Sequence, residues 1–280
     1  MKSNFFIVVI FLICTGSLYA ENLSIQAKNI EIKKDELKTI FKDKVLIVTD
    51  DGYKIESEYA EYNKSVGLIT LRKSIKVTDK KENIIETEFA EYNEKNKELK
   101  SIGYTKISTV DGYILTGEDI FLNEITGLIK SINKATIIDD DKNKIFLDNF
   151  EFDNKKNIFK SIGLIKIEDK SKNNYEFSQI YIDTDKKEIL GTDVKAFLES
   201  AEFKSNKNNN PRIFSNSIKI KENNTTFLKS TFTMCAFRKN DKCPPWKIRS
   251  GVMTHDKIKK TIYYDDTVVK IFDIPVFFFP

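Results

Sequence analysis

The sequence predicts an all-β protein in which stacked antiparallel hairpins of about 30 residues form one folded open sheet. Three observations predict this fold. Similar segments recur at an offset of 30 residues, apolar and polar residues alternate within each segment, and short clusters of Asn, Asp, Gly and Lys separate the alternating stretches. A repeat of this length indicates units that bury their apolar faces only by stacking on one another.

The repeat is directly visible in two sets of matched segments. "YAEYN" at 59–63 matches "FAEYN" at 89–93, and "SIGYTKI" (101–107), "SINKATI" (131–137) and "SIGLIKI" (161–167) share one register. About seven units follow one another up to residue 235, with an insertion, "SNKNNNPR", after Leu198. Two apolar columns run through the repeats. They consist of Ile69, Leu99, Ile129, Phe159 and Ile189, and of Val77, Ile107, Ile137, Ile167 and Phe197.

Within each unit the local period is 2, which is typical of strands with one buried face. "YKIESEYAEYN" and "LITLRKSIKV" alternate in this way, and turn clusters such as "NKSVG" and "NEKNK" lie between them. Each unit is therefore predicted to be two antiparallel strands with an apolar face and a charged face.

The apolar face permits two interpretations. It can be a filled core, or it can line an open trough that accepts lipid chains, with the two columns above as the lining. Small residues at repeated inward positions, such as Ala60, Ala90 and Ser131, favour the trough. Periodicity does not distinguish the two.

The first 20 residues have the layout of a secretory signal peptide, with one Lys, an apolar run from Phe5 to Ile13, and small residues up to Ala20. The run is shorter than the ~20 residues that a membrane-spanning helix needs. We therefore expect cleavage after Ala20 and export, with a retained N-terminal anchor as the alternative.

Composition excludes several classes of function. The 46 basic and 42 acidic residues are interleaved, so no basic footprint for nucleic acid is expected. The single histidine, His255, is predicted to lie in a turn, and a closed zinc site needs four nitrogen or sulfur ligands. With no phosphate-binding loop and no Ser-His-Asp arrangement, we expect neither an enzyme nor a cofactor.

The residue pattern of the sequence changes from residue 229 onward. Cys235 and Cys243 stand in "CAFRKNDKCPPW", and in an exported protein they are expected to form a disulfide. The chain then alternates again and ends in the apolar "IPVFFFP".

This C-terminal stretch carries a family resemblance. The ordered elements "CPPW", "KIRSG", "HDK", "KTIYYDD" and "VKIFDIPVFFFP" resemble the junction of the LptD (OstA/Imp) family of lipopolysaccharide-assembly outer-membrane proteins. The repeats before it are similar to the OstA-type unit of the bridge protein LptA and the anchored LptC, which implies an LptA-like β-jellyroll.

The resemblance implies three regions: a signal peptide at 1–20, a periplasmic OstA-like domain at 21–228, and a junction at 229–280 that leads to a C-terminal β-barrel. Pro244, Pro245, Trp246 and Pro275 are the junction residues. In such proteins a disulfide can also tie the periplasmic domain to the barrel, so a partner for either cysteine other than the local one stays open.

The implied function is to receive lipopolysaccharide in the trough and to pass it to a barrel, at the periplasmic side of the cell outer membrane. The implied partners are an LptA-like bridge protein at the N-terminal sheet edge near Ile30 and Ile32, and an LptE-like lipoprotein plug. The alternatives are a free-standing bridge protein like LptA and an exported structural β-repeat protein without a lipid ligand.

Overall fold

The computed structural model describes residues 23–50, 52–199, 211–234, 245–256, 258–259 and 261–280. In these residues the chain forms 22 strands in one antiparallel sheet, so the predicted all-β fold class is confirmed. One short 3₁₀ turn, Lys34–Glu36, separates the second strand from the third. The strands are β1 (Leu23–Gln26), β2 (Asn29–Lys33), β3 (Lys38–Thr49), β4 (Lys54–Asn63), β5 (Leu68–Thr78), β6 (Ile84–Asn93), β7 (Glu98–Ser101), β8 (Tyr104–Ser108), β9 (Ile114–Glu118), β10 (Phe121–Asn123), β11 (Leu128–Ser131), β12 (Ala135–Ile138), β13 (Lys144–Leu147), β14 (Phe150–Asp153), β15 (Ile158–Glu168), β16 (Asn174–Asp183), β17 (Glu188–Phe197), β18 (Arg212–Ile220), β19 (Asn224–Thr233), β20 (Trp246–Asp256), β21 (Thr261–Ile271) and β22 (Ile274–Phe279).

The strands follow one another through the sheet in chain order. Five rungs of the sheet consist of two short strands each: β1 with β2, β7 with β8, β9 with β10, β11 with β12, and β13 with β14. The other rungs are single strands, so the 22 described strands make 17 rungs. Each repeat contributes two rungs, as the sequence predicts.

The pairing is interrupted near the middle of the long strands, and these interruptions align into a line that we call the crease. The pairing register shifts there, between Lys42 and Val45 in β3 and between Ile162 and Ile165 in β15. β-Bulges of this kind bend a strand and raise its local twist. The crease divides the sheet into an upper arm and a lower arm. The upper arm carries the turns at 64–67, 94–97, 124–127, 154–157 and 184–187, and the lower arm carries the connection between β3 and β4 and the turns at 79–83, 109–113, 139–143 and 169–173.

Small hydroxyl residues line the crease and satisfy backbone groups next to the bulges. Ser131 donates a hydrogen bond to the Glu118 carbonyl at 2.8 Å, and Ser161 donates one to the Asn149 carbonyl at 2.6 Å. Buried carbonyls that lose their ladder partner are costly unless another donor replaces it. The repeated serine column therefore has a structural reason, because it allows the sheet to fold. The other crease hydroxyls that donate to backbone carbonyls include Ser57, Thr87, Ser101, Ser215 and Ser250.

Turns one repeat apart also bond to each other. In the lower arm, the Asn143 side-chain oxygen accepts from the Lys170 amide at 3.0 Å, while its amide group donates to Asp139 at 2.7 Å. In the upper arm, the Asn154 amide donates to the Gly127 carbonyl at 2.9 Å. These bonds fix the spacing of successive repeats at both ends of the strands.

The outer face of the sheet carries alternating charges on neighbouring strands. Glu176 lies between Lys166 and Lys195, with nitrogen–oxygen distances of 3.7 and 3.4 Å. Exposed pairs of this kind contribute little to stability. They make this part of the outer face polar, as the alternating pattern predicts.

The limits of the described residues and the positions of the strands bear on several predictions from the sequence. Residues 1–20, Cys235, Cys243 and Pro244 lie outside the described residues, so the signal peptide and the disulfide remain predictions. The expected boundary at residue 228 falls inside β19, which pairs with β18 and β20 along its length. The prediction that His255 lies in a turn is wrong, because it pairs with Thr225 and Ile262 within β20.

Candidate functional site: the apolar interior of the folded sheet

The first apolar column forms one unbroken row on the inner face of the upper arm. Ile69 pairs with Tyr62 and Tyr92, and the same inner position continues from strand to strand up to Ile182 and Ile189. We call this the Tyr62 row. Its members are Tyr62, Ile69, Tyr92, Leu99, Leu122, Ile129, Phe152, Phe159, Ile182 and Ile189.

The second column forms the matching row on the inner face of the lower arm, which we call the Ile85 row. It begins at Ile25 and Ile47 and ends at Phe277 in the last strand. Its members in between include Ile55, Val77, Ile85, Ile107, Leu115, Ile137, Ile145, Ile167, Tyr175, Ala196, Ile213, Phe232, Ile248 and Val269.

Phe197 does not lie in this row, and its predicted place there is wrong in register. Tyr175 pairs with Ala196, which is buried, and successive residues of a strand point to opposite faces. The bulge of β17 at Asp193 has one residue fewer than the bulge of β15, so the 30-residue offset lands on the wrong face. Phe197 instead packs edge-on against Phe214 at 6.2 Å on the outer face.

The N-terminal half of the interior is a filled core. Ile69 is 0% exposed and Val77 2%, and Leu99 and Ile107 reach only 4% and 8%. Burial this complete on both arms means that the arms pack face to face. In this half the filled-core interpretation describes the structure.

From β11 onward the same rows are only half-buried. Ile129, Ile137, Ile167 and Ile189 pack against the core but keep part of their surface open to solvent. Phe159, Ala196 and Ile213 are exceptions, since all three are buried, and Phe159 stacks on Phe150 at 6.2 Å between ring centroids. The interior therefore opens along its length.

The inner face is also exposed at the last two strands. Phe277 and Phe279 are 63% and 54% exposed, and their rings lie 6.4 Å apart on the inner face. Ile271 and Ile274 are exposed beside them. An exposed apolar surface of this extent marks an interaction site.

The described junction residues support these last strands. The Trp246 indole packs against Phe232 at 6.1 Å, and the Trp246 carbonyl accepts a hydrogen bond from the Thr233 hydroxyl at 2.7 Å. The Pro245 carbonyl accepts the Phe272 amide at 2.9 Å. Pro275 lies at the register shift between β21 and β22, where a residue without an N–H is tolerated.

The first rung presents an exposed sheet edge. β1 and β2 pair only with β3 among the described strands. All five residues of β2 are exposed, including Ile30 and Ile32, which lie opposite inward positions of β3. Such an edge is available for pairing with another strand.

The electrostatics of the interior are those of an apolar surface with a polar rim. Burial raises the pKa of Tyr264, which pairs with the inward-facing Met253. At the rim, the Tyr62 hydroxyl donates to Glu94 at 2.7 Å. Among the described residues, no cluster of three or more His, Cys, Asp and Glu could hold a metal ion.

An apolar groove of about 540 Å³ lies outside this interior. Its apolar lining includes Ile162, Leu190 and Leu228, which point to the outer face. It is therefore not part of the predicted trough. In the described parts of the chain, no helix is long and apolar enough to cross a membrane.

Sequence comparison supports a relation to lipopolysaccharide transport. The family model of lipopolysaccharide-assembly, LptC-related proteins matches residues 20–138, which is less than half of the 280 residues. The match supports the lipopolysaccharide-transport family and does not single out LptD. No curated protein sequence matches the chain.

A solved structure was also found. It is LptH of Pseudomonas aeruginosa, described as the LptA-homologous periplasmic component of the lipopolysaccharide transport device. It is 10% identical over 60% of this chain and 79% of its own, with a TM-score of 0.17. A likeness this weak supports no conclusion about fold or function.

Sequence reasoning missed two features of the site. One is the division of the interior into a closed half and an open half, which depends on how far the arms separate. The other is the contribution of the last strands, where Ile248 and Val269 continue the Ile85 row without any 30-residue repeat to signal it.

Proposed function

We propose that this chain is a periplasmic component of lipopolysaccharide transport, and that the open half of its interior holds the acyl chains of the lipid. The role is that of a bridge: lipid passes along the sheet while its charged head group stays in solvent. The activity is transfer, without covalent chemistry.

The observation that carries the proposal is the pair of continuous apolar rows, of which most members from β11 onward are only half-buried. A half-buried row leaves apolar surface in water, and each methylene of an acyl chain gains ~0.8 kcal/mol when it is buried there. The LptC-related match supports the choice of lipopolysaccharide as the lipid.

Partners are proposed at the sheet edge. The exposed β2 can accept a strand from a bridge protein by edge pairing, which would extend the sheet and its apolar rows into the neighbour. Ile30 and Ile32 would then be covered by the neighbouring inner face.

A photo-cross-linking amino acid at Ile129 tests the lipid site. Upon irradiation with purified lipopolysaccharide, we expect a labelled band for Ile129 and none for Lys130, the next residue of β11, which points outward. Equal labelling at both positions, or none at either, would refute the proposed function.

A second candidate is the LptD-type role at the outer membrane, with a C-terminal barrel and a lipoprotein plug. The observation that favours it is β22, in which all six residues are exposed and apolar. A cross-linker at Phe278, which points away from the inner face, tests it. Cross-links to outer-membrane proteins are expected for this role, and their absence in intact cells would exclude it.

A further inference from the structure

An ion pair between described residues joins the two arms at the closed half of the interior. Asp50 lies in the turn between β3 and β4, at the tip of the lower arm, and Lys97 lies in the turn between β6 and β7, at the tip of the upper arm. The Lys97 Nζ donates to an Asp50 carboxylate oxygen at 2.5 Å. These tips stand at opposite ends of their strands, so the contact exists only because the arms close on each other.

Both partners are held by their own turns. The Thr49 hydroxyl accepts the Tyr53 amide at 3.1 Å, and the Thr49 carbonyl accepts the Gly52 amide at 2.9 Å. The side chain of Lys97 is only 15% exposed, against 41% for Asp50. A charged group that is already ordered and partly desolvated loses less entropy in a pair and is screened less by salt.

The upper turn is fixed in a similar way. Asn93 accepts the amides of Lys95 and Asn96 at 3.0 and 3.1 Å, and the Lys97 carbonyl accepts the Glu124 amide at 2.9 Å. Lys97 itself has a left-handed backbone, with φ of 55°. The ion pair therefore joins two rigid turns.

The Asp50–Lys97 ion pair lies at the N-terminal half of the interior, where the core is filled. One repeat further along, the corresponding residues are Lys80 and Gly127, and two repeats along they are Val110 and Asn157. Neither combination can form an ion pair. Beyond this point, from Ile129 onward, most members of the rows are only half-buried.

We infer that the Asp50–Lys97 pair is a latch that keeps acyl chains out of the N-terminal half until the arms part about the crease. This inference rests on the proposed function. An acyl chain that enters between the arms replaces apolar contacts between the arms with apolar contacts to lipid, so the free energy of this exchange is close to zero. Breaking the ion pair separates two charges that only water can then solvate, so the net energy of the pair favours the closed arms.

The latch can be tested without lipid by measuring the distance between the arm tips. Spin labels on Cys at positions 81 and 96, with Cys235 and Cys243 replaced by Ser, report the distance between the lower and upper turns. Lys97→Glu places two carboxylates together, and we expect the long-distance population to rise about fivefold or more. The charge-swapped double variant Asp50→Lys with Lys97→Asp is expected to restore the closed distance, and an unchanged distance in Lys97→Glu would overturn the latch.

A lipid experiment separates this inference from the proposed function. A cross-linker at the buried Ile69 is expected to label lipopolysaccharide weakly in the native background and about fivefold more strongly with Lys97→Glu. Labelling at Ile129 serves as the reference for a folded variant that binds lipid. If Ile129 is labelled and Ile69 labelling does not change with Lys97→Glu, the latch is wrong; if Ile129 is never labelled, the proposed function fails, and the spin-label distances still decide whether the latch exists.

Discussion

Gly191 lies on the buried inner face of β17, close to the crease, and replacing it by Ala should destabilise the protein. A Cβ atom there would stand 2.6 Å from Cδ1 and 2.9 Å from Cε1 of the Phe177 ring, and 3.1 Å from Cγ2 of Ile218. Favourable carbon–carbon contacts need ~3.5 Å or more, so the ring must shift by nearly 1 Å. Phe177 is 4% exposed and has no solvent-filled space into which it can turn.

Overpacking of this kind costs about 1–3 kcal/mol. The loss of backbone freedom in the unfolded chain offsets ~0.4–1 kcal/mol of that cost. We therefore expect Gly191→Ala to lower the free energy of unfolding by ~1–2 kcal/mol, measured by urea unfolding followed by circular dichroism at an unchanged m-value.

The double variant Gly191→Ala with Phe177→Leu isolates the clash. Leu is smaller than the ring at the contact, so the two substitutions together should cost less than the sum of their separate effects by about 1 kcal/mol or more. A Gly191→Ala protein as stable as the parent, or additive effects in the double variant, would contradict a clash between the added methyl group and the Phe177 ring.

Three further predictions concern the turns, the two halves of the interior and acid stability. Asn143→Ala removes the bond from the next turn at Lys170 and the bond to Asp139 within its own turn, and it should cost ~1–2 kcal/mol in urea unfolding. Ile69→Ala should cost ~2–5 kcal/mol because it leaves a cavity, whereas Ile129→Ala should cost clearly less because solvent already reaches that site. The hydrogen bond from Lys186 lowers the pKa of the Asp183 carboxyl below its ordinary 3.8. Its contribution to stability is thus present above that value and disappears as the pH falls through the lowered pKa, so Asp183→Asn should flatten the acid limb of stability.

For each of these three predictions, one experimental result would contradict it. Asn216 is an exposed residue of β18, and Asn216→Ala serves as the control for the turn variant; equal costs at both positions would contradict a role for the turn bonds. Equal losses for the two isoleucine variants would mean that the interior does not open at β11. Identical pH profiles for Asp183→Asn and the parent between about pH 5 and pH 2 would contradict the carboxyl contribution.

The rows of the interior could be predicted because the repeat length and the strand period agree. Nine of the ten predicted lining residues lie on the two inner rows, since their offset of 30 preserves both the turn and the face. Phe197 is the exception, because a bulge with one residue fewer shifts the face while the apolar pattern hides the slip. Bulge length leaves little trace in sequence, as left-handed positions such as Asp193 are filled by ordinary polar residues.

The closed and open halves could not be predicted for a different reason. Ile69 and Ile129 occupy the same column and the same position in their repeats, yet one is buried and the other half-exposed. Burial there depends on how closely the arms pack, and contacts between the arms join residues far apart in sequence, such as Asp50 and Lys97, which are 47 residues apart. Local patterns contain no information about such a contact.

Because the repeats stack in chain order, the length of the sheet is proportional to the number of repeats. Neighbouring strands lie ~4.8 Å apart, so each repeat of two rungs lengthens the sheet by roughly 10 Å, and the described rungs together span roughly 75 Å before any allowance for twist. The turn-to-turn bonds recur in each repeat, so the insertion or deletion of a whole repeat would change this length while leaving the cross-section unchanged. The distance over which such a protein reaches is therefore set by a repeat count, and it can change through gene duplication without redesign of the strands.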